Sequence, residues 1–337
     1  MSDDLKASEV SNEAVIQDLV PGPEKLSSGH EPKRRETSGS RTLYGDAWYR
    51  LRRNKLALGA LTWLVVLILA TLTADFWVPQ QFGSPNHIDS TTIMSQRLLS
   101  PSPTHPLGTD DQGRDMFSRV IYGARISLSV GALAVLVAVL IGLLLGALSG
   151  FYGGFIDTVI MRVADVFLSF PYILFAILLL SVLPSSLVSG SIIPTVLTIG
   201  ILGWPSIARV FRSSILSVKE NDYVDAGRAL GASDGRLILR HILPNAVAPI
   251  LVYATMSIGG AILTEAALSF LGLGIIPDPV ASPNAVSWGA MIDSGRAYLT
   301  SNPGVVLWPG LAILTTVLAF TLLGDGVRDA LDVKMKD

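Results

Sequence analysis

The residues of this chain whose side chains could do chemistry are concentrated in residues 223–245, YVDAGRALGASDGRLILRHILPN. The stretch contains two carboxylates, three guanidinium groups and one imidazole, at Asp225, Asp234, Arg228, Arg236, Arg240 and His241. Carboxylates and imidazoles serve acid–base catalysis and metal binding, but the four histidines of the chain are scattered without metal-ligand spacing. The sequence therefore predicts no catalytic residues and no metal site, and the order of this stretch needs another explanation.

Two absences narrow the chemistry further. The chain has no cysteine, which excludes disulfides, iron–sulfur clusters, thiolate zinc sites and cysteine nucleophiles. No segment matches the phosphate-binding pattern G-x-x-x-x-G-K-[ST], so any use of ATP must come from another subunit, and no cofactor is expected on this chain. The net charge of −2 creates no field that would attract nucleic acid.

The composition indicates a protein that crosses a membrane several times. Half of the residues are hydrophobic and 15% are charged, whereas soluble domains contain about 25% charged residues. Six apolar stretches are close to the length of about 20 residues that a helix needs to cross the hydrocarbon core. They are residues 56–74, 126–150, 163–183, 192–210, 246–271 and 305–323. The predicted fold class is an all-α integral membrane protein with six transmembrane helices.

The basic residues predict the orientation of these helices. If the N-terminus is cytoplasmic, twenty Lys and Arg residues lie on the cytoplasmic side and five lie outside. An excess of Lys and Arg is typical of the cytoplasmic side. Both termini and the stretch 223–245 are therefore predicted to be cytoplasmic.

Three regions are predicted along the chain. Residues 1–42 are polar and rich in Pro, Gly and Ser, and we expect a disordered cytoplasmic tail. Residues 43–124 comprise the first span, an external loop and a short helix at the outer membrane interface, capped by Asp110 or Asp111. Residues 125–333 form the transmembrane core, which includes a cytoplasmic loop at 219–245 and a short external helix around 288–299.

Three residues inside the predicted spans are candidates for a role in a pathway or its gating. Glu265 is the clearest acid within a span, and such a group either lines a pathway or makes a satisfied structural bond. Pro205, preceded by Trp204, interrupts the fourth span and predicts either a hinge for gating or a static bend.

Two further patterns predict local contacts. Glycines spaced by four residues favour close helix packing, and they occur at positions 142, 146 and 150. Asp157 and Asp165 lie on either side of Arg162, so we expect a local ion pair there.

The polar stretch itself has the pattern of two short helices joined by a glycine. Residues 219–230 favour one helix, which Gly231 can end by adopting a left-handed conformation. Ser233 or Asp234 can cap a second helix, which is expected to stop at Pro244. Projecting helices of this kind suit docking onto a partner, and the alternative is an ordinary amphipathic connector.

On this spacing the stretch resembles the EAA loop of importer-type ABC transporter permeases. That pattern is E-A-A, three residues, Gly, nine residues and then I-x-L-P. The matching positions are Asp225, Ala226, Gly227, Gly231, Leu243 and Pro244, with Arg228 first among the three intervening residues. The spacing matches in full, while Asp225 stands in place of Glu, Gly227 in place of Ala and His241 in place of Ile.

Longer segments resemble the second permease of dipeptide, oligopeptide and nickel importers, at 105–128, 264–274, 288–296 and 322–332. The resemblance covers about residues 43–333. It implies a non-catalytic permease subunit in the bacterial cell membrane, in contact with lipid. The implied partners are a second, related permease, two cytoplasmic ATPase subunits that carry ATP and Mg, and an external substrate-binding protein. The 219–245 loop would couple the ATPases to the spans.

The sequence leaves the substrate open. The resemblance favours dipeptides or oligopeptides, and nickel chelates, glutathione and oligosaccharides are alternatives. A self-contained secondary transporter is a less favoured alternative, because such proteins more often show internal repeats and intramembrane charges. An intramembrane enzyme would need a convergent set of acid, base or metal-binding groups within the spans.

Overall fold

The computed structural model describes residues 43–82, 93–184, 191–274 and 285–331. These residues form helices and their connections, and no strand occurs among them, which confirms the all-α fold class. The predicted tail, residues 1–42, lies outside the described residues.

The helices of the described residues are numbered here in chain order. They are α1 (Leu43–Arg53), α2 (Lys55–Phe82), α3 (Ile93–Gln96), α4 (Met116–Tyr152), α5 (Gly154–Ser169), α6 (Tyr172–Val182), α7 (Ile193–Lys219), α8 (Asp222–Ala229), α9 (Asp234–Arg236), α10 (Leu243–Ala246), α11 (Ala248–Phe270), α12 (Trp288–Gly295) and α13 (Gly304–Leu331). A π-helical turn, Leu237–Ile242, joins α9 to α10, and a 3₁₀ turn, Arg296–Tyr298, follows α12.

Five of these helices, α2, α4, α7, α11 and α13, are long and apolar enough to cross a membrane. A sixth span exists if α5 and α6 count as one, but they meet at an angle of 92°. The predicted span at 163–183 is therefore a sharply bent pair of helices and not one straight helix. Pro171 lacks an N–H and disfavours helical backbone at the residue before it, and Phe170 is extended with φ −91° and ψ 141°.

The predicted interfacial helix is also not a separate element. Met116 begins α4, which continues without a break for 37 residues to Tyr152. The residue that caps this helix is Asp115, whose carboxylate accepts a hydrogen bond from the Ser118 N–H at 2.7 Å, so the prediction of Asp110 or Asp111 as the cap is wrong. No proline interrupts the segment, and helical hydrogen bonding therefore extends from the loop into the span.

The contact between α4 and α7 depends on the glycines spaced by four residues. A Cβ atom at Gly142 would lie 2.6 Å from Ile207, one at Gly146 would lie 2.7 Å from the Ala208 carbonyl oxygen, and one at Gly150 would lie 2.8 Å from Ile215. The predicted close packing is confirmed. Because the Ala208 oxygen belongs to the backbone, a side chain at Gly146 would push the two helices apart, at a cost of about 1–3 kcal/mol.

Ion pairs connect α5 to α7. Arg212 binds Asp157 through two hydrogen bonds of 2.6 Å, and Arg209 pairs with Asp165. The prediction that the two acids pair with Arg162 is wrong, because α7 packs beside α5 and brings two guanidinium groups against them.

Candidate functional site

The 219–245 segment has the predicted helix–glycine–helix form. Gly231 has a φ of +80°, in the left-handed region that favours glycine. Its N–H donates to the Arg228 carbonyl at 2.9 Å, and the Ala232 N–H donates to the Gly227 carbonyl at 3.1 Å. These two bonds satisfy the last carbonyls of α8, in the pattern of a Schellman motif. The sequence prediction of a positive φ at Gly231 is confirmed.

The second half of the segment is longer than predicted. Ser233 is extended, with φ −68° and ψ 154°, and precedes α9, as expected for an N-cap position, although its side chain makes no capping bond. The helical path then passes through the π-helical turn and α10, and it ends at Ala246 rather than at Pro244. The position of Pro244 in the first turn of α10 explains this, because an N–H there would have no partner within the helix.

One side of the segment is anchored in the bundle. Val224, Leu237 and Ile242 are fully buried and belong to a core cluster that also contains Phe211 and Ile215 of α7. A Cβ atom at Gly227 would lie 3.0 Å from the Leu237 side chain. Glycine in place of the alanine of the EAA pattern therefore lets α8 approach the π-helical turn closely.

The other side of the segment is exposed. Leu230 is 89% exposed and Leu239 is 67% exposed. Asp225 and Arg228 form an ion pair of 3.1 Å in which both side chains are at least half exposed. Such a surface pair contributes little to stability. The segment thus exposes apolar and charged side chains on one side. On its other side, buried side chains fix it to the bundle.

The predicted pathway residues lie away from this segment. Trp204 and Pro205 are buried within α7, and the Trp204 ring packs edge-on against Phe167, with centroids 5.7 Å apart. The Trp204–Pro205 pair therefore lies within α7, whereas the 219–245 segment begins at the C-terminal end of that helix. A hinge at Pro205 stays a prediction.

Glu265 lies in the interior of the bundle, at the junction of α4, α11 and α12. It is 0% exposed, and its carboxylate accepts hydrogen bonds from the Ser127 hydroxyl at 3.0 Å and the Ser269 hydroxyl at 2.7 Å. The Ser287 hydroxyl at the start of α12 donates to Ser269 at 3.3 Å. This geometry favours the structural alternative of the two that the sequence left open.

Sequence reasoning missed a polar cluster at the beginning of α4. The buried carboxylate of Asp110 accepts from the N–H groups of Gln112 and Arg114, each at 2.9 Å. The same carboxylate pairs with the side chains of Arg114 at 2.7 Å and Arg119 at 3.4 Å. The four-residue spacing of Asp110 and Arg114 was the available signal. Within the described residues, no group of three His, Asp or Glu side chains could hold a metal ion.

Comparison with known proteins identifies the class to which this bundle belongs. Residues 138–337 match the family described as the binding-protein-dependent transport system inner membrane component. Residues 42–101 match the N-terminal TM domain of oligopeptide transport permease C. Because the first match covers more than half of the chain, the protein belongs to the family of inner membrane components of binding-protein-dependent transport systems. The resemblance seen in the sequence is confirmed.

Individual relatives cover almost the whole chain. The dipeptide transport system permease protein DppC of Alkalihalophilus pseudofirmus is 42% identical over 86% of this chain and 90% of its own length. The glutathione transport system permease protein GsiD of Shigella dysenteriae serotype 1 is 42% identical over 88% of this chain and 92% of its own length. Among solved structures, a chain of the inward-facing MetNI methionine ABC transporter has a TM-score of 0.52 and 18% identity, covering 64% of this chain and 97% of that chain. The last similarity shows the shared fold.

Proposed function

We propose that this protein forms half of the membrane pathway of an ATP-driven importer of short peptides, with a second, related permease forming the other half. Dipeptides are the first candidate substrate because a dipeptide permease is 42% identical across 86% of the chain. Glutathione is the second candidate because a glutathione permease has equal identity. Both compounds are short peptides, so the two relatives support the same chemical class.

The observation that carries the coupling part of the proposal is the helix–glycine–helix segment at 219–245. Its buried side chains tie it to α7, and it continues directly into α10 and α11. Its exposed side chains, Leu230 and Leu239, can enter a cleft on a partner. A partner that moves this segment would therefore pull directly on two membrane-spanning helices. We assign that partner as a cytoplasmic ATPase subunit.

The same proposal assigns ATP and Mg to the partner subunits and substrate capture to an external binding protein. The experiment that tests the assignment of ATP is nucleotide binding to the purified chain. We expect no saturable binding of ATP without the ATPase subunits. Saturable binding to the chain alone would contradict a division of labour between subunits.

The proposal places both termini and the 219–245 segment in the cytoplasm of a bacterial cell. This orientation can be tested with single cysteines, because the chain has none of its own. In intact cells, an impermeant thiol reagent should label a cysteine at Gln96 and leave one at Gly231 unlabelled. The reverse pattern would overturn the orientation.

Transport itself is tested in proteoliposomes that contain this chain, the second permease and both ATPase subunits, with the binding protein added outside. We expect ATP-dependent accumulation of a dipeptide, with glutathione as the competing substrate. Accumulation of glutathione alone would select the second candidate. Uptake of neither peptide by an assembled, ATP-hydrolysing complex would refute import of short peptides.

A further inference from the structure

A cavity with an unusual lining lies beside the buried acid and the proline of α7. Its volume is about 260 Å³, it is partly open, and residues of α4, α5, α6, α7 and α11 line it. None of the described residues that line it carries a charge, and its polar side chains all end in hydroxyl groups. These are Tyr172, Ser206, Tyr253, Ser257 and Thr264. Trp204, Pro205 and Glu265 do not line it.

The hydroxyl groups differ in how far the chain satisfies them. Tyr172 donates to the Ile199 carbonyl at 3.2 Å, Ser257 donates to the Tyr253 carbonyl at 2.7 Å, and Thr264 donates to the Gly260 carbonyl at 3.0 Å. In the described part of the chain, the hydroxyls of Ser206 and Tyr253 make no hydrogen bond. Hydrocarbon offers such groups no partner. Their position therefore suits water or a polar molecule inside the cavity.

A second cavity, of about 530 Å³, adjoins the first along α11. Tyr253 lines both cavities. Val210, Val252 and Met256 give the second cavity an apolar wall, and Arg328 is the charged residue among its described lining. The two cavities follow α11 from Thr264 to Ala248, which is about 24 Å of helix. This length is most of the thickness of about 30 Å of a hydrocarbon core.

We propose that the two cavities are this subunit's share of the substrate path, and that the hydroxyl-lined cavity contacts the backbone of a peptide and not the charges of its side chains. The inference rests on the proposed import of peptides. A hydroxyl both donates and accepts, so it can bind the C=O and the N–H of any peptide bond. A lining without charge exerts no strong Coulomb preference for acidic or basic side chains. Small-molecule sites have volumes of about 300 Å³ or more. This cavity is slightly smaller, which fits a site that the second permease completes.

The absence of cysteine allows a charge to be introduced after folding. Ser206→Cys changes one atom of a cavity-lining side chain, and the assembled transporter is then treated with a negatively charged sulfonate or a positively charged trimethylammonium methanethiosulfonate reagent. The measured quantity is the ratio of kcat/KM for uptake of Ala-Lys to that of Ala-Glu. We expect a ratio near one before labelling. The sulfonate should raise it about tenfold and the trimethylammonium should lower it about tenfold, since a charge within a few ångströms favours its opposite.

The matched control is Ser301→Cys, an exposed serine in a turn outside both cavities, which should react without changing the ratio. Added bulk at position 206 can slow both peptides equally, so only the ratio tests the inference. A ratio unchanged by either label, or an introduced thiol at position 206 that does not react, would overturn it while leaving peptide import in place. Failure of the unlabelled transporter to take up both peptides would instead refute the proposed function, and the inference with it.

Discussion

The two ends of α4 lie in regions that differ in how far their side chains are buried and bonded within this chain. At the N-terminal end, the buried carboxylate of Asp110 is bound by two backbone N–H groups and two guanidinium groups. Trp288 is 0% exposed there, and its indole N–H donates to the Val120 carbonyl at 2.9 Å. At the C-terminal end, Phe151 packs in the cluster that anchors the 219–245 segment, whose Leu230 is 89% exposed.

Under the proposed function, this difference predicts where stability and partner binding reside. The region around Asp110 forms a closed network of buried bonds, so changing it affects folding first. In the 219–245 segment, backbone hydrogen bonds hold the turn at Gly231 while Leu230 and Leu239 are exposed. Under the proposed function, we therefore expect changes at this surface to affect assembly first. Three predictions test this contrast and a fourth concerns the N-terminal tail, in decreasing order of the expected effect on the free energy of unfolding.

The largest effect is expected for Asp110→Ala. Removal of the carboxylate takes away a partner that the guanidinium groups of Arg114 and Arg119 share, and breaking a buried pair costs about 3–5 kcal/mol. We expect a large fall in the membrane level of the protein and in its thermal unfolding temperature in detergent. The control is Asp225→Ala at the other end, which breaks an exposed pair and should leave both quantities nearly unchanged. Equal stability of the two variants would remove the contrast.

A smaller effect on stability and a large effect on transport are expected for Gly231→Val. The left-handed φ of +80° imposes strain on the order of 1 kcal/mol or more on a β-branched residue, although no neighbouring atom lies within 4 Å of the new Cβ. We expect a normal membrane level and loss of ATP-dependent uptake, because the two helices of the segment would be re-aimed. Uptake into vesicles and co-purification of the ATPases measure this outcome.

Gly235→Val is the control for that substitution. Gly235 also has open space around it, but its φ is not positive. It should therefore retain more transport than Gly231→Val. Wild-type uptake by Gly231→Val with the ATPases still bound would mean that the segment is only a connector.

Leu230→Ser should change stability by less than about 0.5 kcal/mol, because the side chain is already in contact with solvent. Burial of a leucine in a cleft contributes about 1.5–3 kcal/mol, so the affinity for the ATPase subunits should fall about tenfold or more. Titration of detergent-solubilised permease with ATPase subunits measures this affinity. Leu299→Ser removes a leucine that is 52% exposed near the Asp110 end and should leave the affinity unchanged. An equal loss in both variants would show that Leu230 has no special role.

The smallest effect is expected when residues 2–38 are deleted and the basic residues from Arg41 to Lys55 are kept. The deleted part is mostly polar and rich in Pro, Gly and Ser, and it provides little apolar surface to bury. Transport per permease molecule should remain close to wild type, as measured by uptake normalised to membrane level. Complete loss of uptake at a normal membrane level would assign the tail a role that its composition does not suggest.

The sequence alone determined the features that depend on local pattern. Apolar stretches near 20 residues long predict helical spans because an isolated backbone in hydrocarbon must satisfy its own hydrogen bonds. The spacing of small residues predicted the packing at Gly142, Gly146 and Gly150, and the position of Gly231 between two helical patterns predicted its positive φ. Each of these predictions uses residues within a few turns of one another.

Tertiary structure decided the features that join distant residues. Glu265 binds Ser127, which is 138 positions away, and Asp157 binds Arg212, which is 55 positions away. Neither partner can be predicted before it is known which helices pack side by side. The hydroxyl-lined cavity shows the same limit, because Ser206 and Thr264 line it while Pro205 and Glu265, their immediate neighbours, do not. A helix turns by about 100° per residue, so the direction in which it faces its neighbours decides which adjacent side chain meets a cavity and which is buried.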